Sequence, residues 1–379
     1  MKIGYVFLLV VLLTSELAFP QQNPRHIRVD WQTDTAQHHV LLSEFTVVLP
    51  KGAFPQLNYP RFVGKADGLR MFFEHEPALV ISIKGQAKAY PLNMLTVHEI
   101  SNDTLANTPL LVTYCPLCNA GLVFDRRLKY RGKEQTLEYA VSGMLRNSDM
   151  VMYDRQTESW WQQLLGQALV GEFAGAELEI IPSLIISVNE FFERYPDGKT
   201  LSRNTGNPRA QFQYGQNPYH RYDAPEGLPY EHFFPHEQLT EQLPPMERVV
   251  DIRVGEKYKV YPFSIIARHG VINDQFEGKS VVLFYQPGTV SVLDEADIRQ
   301  SREVGSVTAF NARLAGQRLV FRKIHGRFED EQTHSVWDIT GRAIAGPLKG
   351  KQLTIEPHSH HFSFAWLAFH PESEIYQER

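Results

Sequence analysis

Residues 80–103 read VISIKGQAKAYPLNMLTVHEISND, and residues 251–274 read DIRVGEKYKVYPFSIIARHGVIND. The two segments align without a gap, because Pro262 lies 171 positions after Pro91. The same offset places identical residues on one another, namely Tyr90 on Tyr261, His98 on His269, Asn102 on Asn273 and Asp103 on Asp274. Self-similarity at a constant offset indicates a repeated structural unit. The two segments therefore predict that the chain contains two copies of one unit.

The similarity continues outward from these segments. In the same register LLVTYCPLC, residues 110–118, falls on VVLFYQPGT, residues 281–289. The only two cysteines of the chain, Cys115 and Cys118, are replaced by Gln286 and Thr289 in the second copy. Further on, DRQTESWW at 154–161 matches DEQTHSVW at 330–337. We therefore expect the first copy to hold a reactive site and the second to serve as a scaffold.

The local patterns predict a β-rich α+β fold made of two tandem copies of the duplicated unit, at residues 25–205 and 246–379. Short alternating runs such as LVISI, LLVTY, GLVFD and MVMYD, separated by Gly, Asn and Pro, are typical of strands. PLNMLTVHEI and SVNEFFERY are typical of short helices that begin near Pro91 and Ser187. The absence of GxGxxG and GxxxxGK motifs argues against a doubly wound nucleotide-binding fold.

Residues 206–245 separate the two copies and form a connector rich in proline and aromatic residues. Seven prolines occur from Pro208 to Pro245, and no apolar residues recur with a helical or strand period. A passive linker is one interpretation. The Tyr and Phe content favours the other, in which the connector packs across both copies.

The N-terminus and the composition bear on location and partners. Residues 1–20 form a predicted signal peptide, in which Lys2 precedes the apolar run from Ile3 to Leu13. This run is shorter than the roughly 20 residues of a membrane-spanning helix, so we expect an extracytoplasmic protein, periplasmic or secreted, that does not span a membrane after signal removal. A net charge of -5 and a pI near 6.3 argue against nucleic acid as a partner.

Several blocks together resemble a known bacterial family, catalogued as domain of unknown function 3179. The blocks are AYPLNMLTVHEISND, TYCPLCNAGLVFDR, SGMLRNSDMVMYDRQTESWW and YPFSIIARHGVIND. The resemblance covers roughly residues 70 to 375. It implies an exported protein and, because some relatives carry selenocysteine in the Cys pair, chalcogen chemistry at Cys115 and Cys118. His269 departs from the family pattern, which argues against equivalent roles for His98 and His269.

The CxxC motif supports three hypotheses. The first is a thiol-based redox or electron-transfer function, with Cys115 and Cys118 as the catalytic pair, His98 as proton acceptor or orienting group, and an unknown redox partner or small molecule. The second is a soft-metal site for copper or zinc with Cys115, Cys118 and His98 as ligands. The third is a structural disulfide beneath a non-catalytic binding surface.

The residues after Cys118 help to weigh these hypotheses. They read NAGLVFDR and predict a strand-turn-strand knuckle rather than the helix that follows a thioredoxin-like CxxC. Because only an accessible thiolate reacts, a chemical role predicts that at least one sulfur is accessible.

Polar residues near the CxxC blocks are candidates for binding a small molecule, although strand-end ion pairs and turn caps account for many such residues. Met150 and Met152 are interpreted as core residues, and the cluster PHSHHFSF, with His358, His360 and His361, as a solvated loop. No GxSxG, HExxH or EF-hand motif supports hydrolase or calcium chemistry. The candidate binding residues are Asn102, Asp103, Arg146, Asn147, Asp149, Asp154 and Trp161.

Overall fold

The structure of the protein is a computed structural model that describes residues 22–211 and 213–378. The predicted signal peptide, residues 1–20, lies outside the described residues. Strands predominate over helices in the part described, and the β-rich α+β class expected from the sequence is confirmed. Within residues 22–211 and 213–378, no helix has the length and apolar character needed to cross a bilayer.

The strands that precede residue 206 are β1 Thr46–Val47, β2 Leu57–Asn58, β3 Phe62–Val63, β4 Pro77–Ile83, β5 Gln86–Pro91, β6 Ile100–Leu105, β7 Thr108–Cys115, β8 Ala120–Asp125, β9 Arg127–Tyr130, β10 Lys133–Thr136, β11 Tyr139–Arg146, β12 Asp149–Asp154, β13 Trp160–Gln162, β14 Gln167–Val170, β15 Leu184–Ser187 and β16 Lys199–Leu201. The strands that follow are β17 Arg248–Val254, β18 Lys257–Pro262, β19 Val271–Phe276, β20 Lys279–Gln286, β21 Ser306–Asn311, β22 Arg313–Leu314, β23 Gln317–Arg318, β24 Phe321–Ile324, β25 Arg327–Asp330, β26 Val336–Trp337, β27 Ala343–Ala345, β28 His360–Phe362 and β29 Glu374–Ile375. The α-helices are α1 Lys65–Met71, α2 Leu92–His98, α3 Val188–Arg194, α4 Pro208–Gln211, α5 Phe263–His269 and α6 Ser363–Phe369, and short 3-10 helices lie at Leu42–Glu44, Pro116–Cys118, His236–Gln238 and Ile298–Gln300.

The helices predicted near Pro91 and Ser187 are confirmed. Pro91 is the N-cap of α2, and all seven residues of this helix are buried. Ser187 caps α3 in a capping box, since its hydroxyl accepts from the amide of Glu190 while the Glu190 carboxylate accepts from the Ser187 amide. Both helices are short and gain most of their stability from burial against the neighbouring sheets.

Three sheets of the first half position the cysteines. In the sheet of order β2-β6-β7-β8, β7 and β8 pair antiparallel, and Cys115 lies opposite Ala120. A second sheet has the order β1-β11-β12-β13-β14, and β12 begins at Asp149. The third has the order β15-β4-β5-β16-β3, with β16 parallel to β5.

Strand pairings recur between the halves. The β4–β5 hairpin pairs Ala78 with Pro91, and the β17–β18 hairpin pairs Val249 with Pro262, both 171 positions later. The order β15-β4-β5-β16 is matched by β28-β17-β18-β29, and the parallel pair β5–β16 is matched by β18–β29. Hairpins β6–β7 and β19–β20 also lie at the same offset.

The main hydrophobic core joins residues of both halves. It includes Leu79 and Phe124 from the first half and Phe284 and Phe310 from the second. The hydroxyl of Ser359 also donates to the carbonyl of Gly121 on β8 over 2.6 Å. The second half of the chain therefore packs against the hairpin that carries the cysteines.

Residues 206–245 contact both halves. The Tyr222 hydroxyl donates to the carbonyl of Leu117, within the CxxC turn, over 3.0 Å. The buried carboxylate of Asp223 pairs with Arg302 of the second half over 2.9 Å. Turns, bends and irregular backbone make up most of this segment, and its aromatic rings contribute to the packing.

Candidate functional site

The two cysteines lie at the tip of the β7–β8 hairpin. Cys115 ends β7, Pro116–Cys118 forms one turn of 3-10 helix, and β8 begins at Ala120. Asn119 adopts the left-handed conformation, φ 51°, that reverses the chain direction. This geometry agrees with the predicted strand-turn-strand knuckle, and no α-helix follows the motif whose N-terminus could stabilise a thiolate.

Asp149, at the start of β12, is the third group of the cluster. A carboxylate oxygen of Asp149 and the sulfurs of Cys115 and Cys118 all lie within 4.8 Å of one another. Asp149 Oδ2 accepts from Gln162 Nε2 over 2.7 Å and from the amide of Leu164 over 2.9 Å. Its Oδ1 is buried and accepts no hydrogen bond from a nitrogen or oxygen donor of the described residues. One carboxylate oxygen is thus anchored by N–H donors, and the other has only the two thiols beside it.

Burial sets the protonation of the cluster. The side chains of Cys115 and Cys118 are exposed by 2% and 0%, and desolvation raises the pKa of both thiols. The pKa of Asp149 is raised to about 6, mainly by burial, although its hydrogen bonds oppose the shift. The Cys118 thiol hydrogen-bonds with Cys115 and Asp149, and the amide of Met150 donates to the Cys115 sulfur. The expectation of an accessible sulfur is therefore wrong.

His98 lies at the end of α2, and both of its ring nitrogens have hydrogen-bond partners other than the cysteines. Its Nδ1 is 2.5 Å from the carbonyl oxygen of Pro55, so Nδ1 carries the proton and donates. Its Nε2 is 2.5 Å from the hydroxyl of Tyr214, which then donates to it. Burial lowers the pKa of His98 and favours this neutral form. The group beside the two sulfurs is Asp149, and His98 instead links α2 to the connector.

The other candidate binding residues are held in bonds that support the fold. Asn102 exchanges hydrogen bonds with the backbone of Tyr139, and Asp103 accepts from Tyr90 and Lys88. Equivalent bonds occur in the second half, where Asn273 bonds to the backbone of Phe321 and Asp274 accepts from Tyr261 and Lys259. A role in the architecture therefore explains both positions.

Most of the remaining candidate binding residues also make contacts within the fold. Arg146 pairs with Glu44, and Asn147 adopts a left-handed turn conformation, φ 51°. Asp154 accepts from Thr157 and from the indole nitrogen of Trp161. Of the three aspartates among the candidate binding residues, Asp149 is the one that the described structure brings into the cluster with the sulfurs.

Glu99 is a residue of the site region that the sequence reasoning missed. It follows α2 in the left-handed region, with φ 56° and ψ -36°, and its side chain is only 6% exposed. Burial raises the pKa of Glu99 to about 8, and the nearby Asp149 adds to the shift. The position 171 residues later is Gly270, also at positive φ. The sequence signal that could have identified Glu99 is that it stands where the second half has a glycine.

A cavity of about 230 Å³ adjoins the cluster. Glu99 lines it together with Leu117, from the CxxC turn, and Met150, which follows Asp149. Tyr219, Tyr230 and Phe233 of the connector form part of its wall. Residues 206–245 therefore line part of the space beside the cysteines as well as contacting both halves.

The histidine cluster and the methionines lie in the interior. His358, His360 and His361 are buried, so the interpretation of PHSHHFSF as a solvated loop is wrong. His360 hydrogen-bonds to the carbonyl of Val307 over 2.9 Å. It belongs to β28, which pairs antiparallel with β17. Sheet pairing withdraws this polar segment from solvent. Met150 and Met152 are buried, as expected for core residues.

Residues 51–373 match the family described as protein of unknown function (DUF3179). The chain belongs to this family. The match covers both halves and includes the CxxC hairpin, Asp149 and Glu99. No curated protein matches the chain, and no solved structure does.

Proposed function

We propose that Cys115, Cys118 and Asp149 bind a soft or borderline metal ion, with zinc as the first candidate and copper(I) as the second. The observation that carries the proposal is the convergence of three buried groups, each a metal ligand once deprotonated, with an Asp149 Oδ1 to which no N–H or O–H group of the described residues donates. A buried carboxylate oxygen without such donors costs free energy unless a ligand satisfies it.

The distances are compatible with zinc. With Zn–S bonds of about 2.3 Å, two thiolates on a tetrahedral ion lie about 3.8 Å apart. The three ligand atoms are all within 4.8 Å of one another, so small side-chain rotations bring them to such an ion. The hard carboxylate oxygen favours zinc over copper(I), which prefers sulfur ligands alone.

The electrostatics support binding that is coupled to proton release. Burial raises the pKa of both thiols, so they hold their protons near neutral pH, whereas Asp149, with a pKa of about 6, is largely ionised there. A divalent cation would replace these protons and compensate the negative charges in the low-dielectric interior. We therefore expect affinity to rise with pH.

A dithiol–disulfide redox couple is the second candidate function. The hydrogen bond between the thiols of Cys118 and Cys115 favours it, because the two sulfurs already face each other within one turn. Oxidation would form one S–S bond, release two protons, the first to Asp149, and transfer two electrons to an oxidant of the quinone or small-disulfide class. The burial of both sulfurs restricts the oxidant to a small molecule.

We further propose that the chain arose by duplication of one unit and is exported. The shared offset of 171 between hairpins, helices and hydrogen bonds supports units at residues 25–205 and 246–379, joined by a connector at 206–245. In the second unit Thr289 bonds to Ser306 at the position of Cys118, which suits a scaffold without metal. The N-terminal sequence pattern supports export.

The test is elemental analysis combined with thiol titration of protein purified anaerobically. We compare the wild type with Cys115→Ser/Cys118→Ser and Asp149→Asn, and use Asp154→Asn as the matched control because Asp154 is a buried aspartate at the opposite end of β12. Wild type and control should contain about one zinc or copper ion per chain, and the site variants much less.

Two results would decide against metal binding. A metal-free wild type that takes up neither zinc nor copper(I) on titration would exclude the first function. If such protein loses two titratable thiols reversibly on treatment with a quinone, the redox function is supported instead. Equal metal content in wild type and the double serine variant would place the metal elsewhere.

A further inference from the structure

The cavity beside the cysteines has an apolar wall with a few polar groups. Val48, Leu49, Phe54, Val141 and Leu145 contribute to the wall. The polar residues that also line it are Glu99, Tyr219, Tyr230 and Arg25. A concave, mostly apolar space with a few convergent polar residues is the usual form of a small-molecule site.

Glu99 is held at this cavity at a cost in free energy. A residue other than glycine in the left-handed region is strained by about 1–2 kcal/mol, and Gly270 occupies the corresponding position in the second half without that strain. Burial of the carboxyl group adds a desolvation cost. Strained and buried polar residues persist preferentially at functional sites.

The polar groups of the wall are hydrogen-bond donors near neutral pH. The phenols of Tyr219 and Tyr230 have their pKa raised by burial, so they keep their protons. Burial likewise keeps the Glu99 carboxyl group protonated below pH about 8. Arg25 is always a donor, and its Nη1 contacts the carbonyl of Val48. A ligand that satisfies these groups must accept hydrogen bonds.

We propose that this cavity binds a small, neutral, mostly apolar molecule whose carbonyl oxygen accepts a hydrogen bond from the Glu99 carboxyl group. The volume of about 230 Å³ sets the size. Since a cavity of about 150 Å³ holds benzene, roughly nine non-hydrogen atoms fit here. An anionic ligand is disfavoured because the nearby Asp149 carboxylate would repel it. The inference goes beyond metal binding and does not depend on it.

Ligand-observed NMR titration with acetophenone tests the proposal, with isopropylbenzene as the probe of equal size that lacks the carbonyl group. Acetophenone should bind the wild type about two- to tenfold more tightly than isopropylbenzene, as one net hydrogen bond predicts. Glu99→Leu removes the donor and should abolish this preference. Glu99→Gln keeps an N–H donor and should retain it. Acetophenone affinity should fall above pH about 8 in the wild type but not in Glu99→Gln.

Controls separate this site from the metal cluster and from nonspecific binding. Cys115→Ser/Cys118→Ser should still bind acetophenone, so failure of the metal proposal leaves this one intact. Val141→Phe fills the cavity and should weaken both probes, and exposed Glu134→Gln should change nothing. Equal affinity for the two probes in wild type, an unchanged preference in Glu99→Leu, or absence of binding to the folded wild type would overturn the proposal.

Discussion

Asp154 accepts a hydrogen bond from the indole nitrogen of Trp161 over 3.0 Å, and in the second half Asp330 accepts from Trp337 over the same 3.0 Å. The surrounding bonds also correspond. Asp154 accepts from the amide and hydroxyl of Thr157, as Asp330 does from Thr333. Each aspartate therefore closes a turn and satisfies a buried tryptophan.

Asp154→Ala and Asp330→Ala should each lower the free energy of unfolding by about 3 kcal/mol, because each leaves a buried indole N–H and turn donors without an acceptor. Chemical denaturation measures this effect. Exposed Asp67→Ala is the control and should change stability by less than about 0.5 kcal/mol. A loss in one half alone would mean that the two turns are not energetically equivalent.

Glu99→Gln should stabilise the protein increasingly as pH rises. The pKa of Glu99 is about 8 in the folded state against 4.5 as its ordinary value, so the native state binds the extra proton. Its contribution to stability is complete below pH 4.5 and is lost as pH rises through 8. Relative to wild type, the variant should gain up to about 5 kcal/mol between pH 4.5 and 8. Denaturant unfolding across this range checks it, and a constant difference would contradict it.

His360→Gln should make the protein less sensitive to acid. The pKa of His360 is lowered from 6.5 to about 3, chiefly by burial, so the folded state resists its protonation. The stability from neutral His360 is complete above pH 6.5 and is lost as pH falls towards 3. Glutamine keeps an N–H donor for the Val307 carbonyl and does not titrate. The slope of unfolding free energy between pH 6.5 and 4 should therefore be shallower.

The matched control for acid sensitivity is His269→Gln, because His269 is half-exposed. If His269→Gln and His360→Gln changed the acid slope equally, burial of His360 would not be the cause.

The two thiols should be almost unreactive towards a bulky disulfide reagent in the native, metal-free protein. Cys115 and Cys118 are buried, so a bulky reagent cannot reach their sulfurs. The raised pKa of both thiols also keeps the fraction of thiolate low. Both should react within seconds to minutes in denaturant. Time-resolved titration with and without denaturant measures the ratio, and comparable rates in the two conditions would show that the CxxC turn opens readily.

Much of the fold could be predicted because its signals are local. Pro91 and Ser187 mark helix starts by their own backbone and capping preferences. Short apolar runs in β7 and β12 predict strands, and Asn119 predicts the reversal after the cysteines. These properties depend on residues a few positions apart.

Local sequence patterns could not predict which side chains lie next to the cysteines. His98 was the expected third group because it lies close in sequence, yet Pro55 and Tyr214 hold its ring. Asp149 reaches the sulfurs because two sheets converge and Gln162 orients its carboxylate. Contacts of this kind depend on how separate hairpins pack, which no short pattern encodes.

The sequence by itself determined the β-rich class, the CxxC hairpin, the helix starts and the repeated segments, because chain geometry and side-chain periodicity act locally. Only the tertiary structure decided that both sulfurs are buried, that Asp149 joins them, that Glu99 lines a cavity together with residues of the segment 206–245, and that the histidines of PHSHHFSF are inside. Burial and protonation arise from groups distant along the chain, which meet only when the sheets pack.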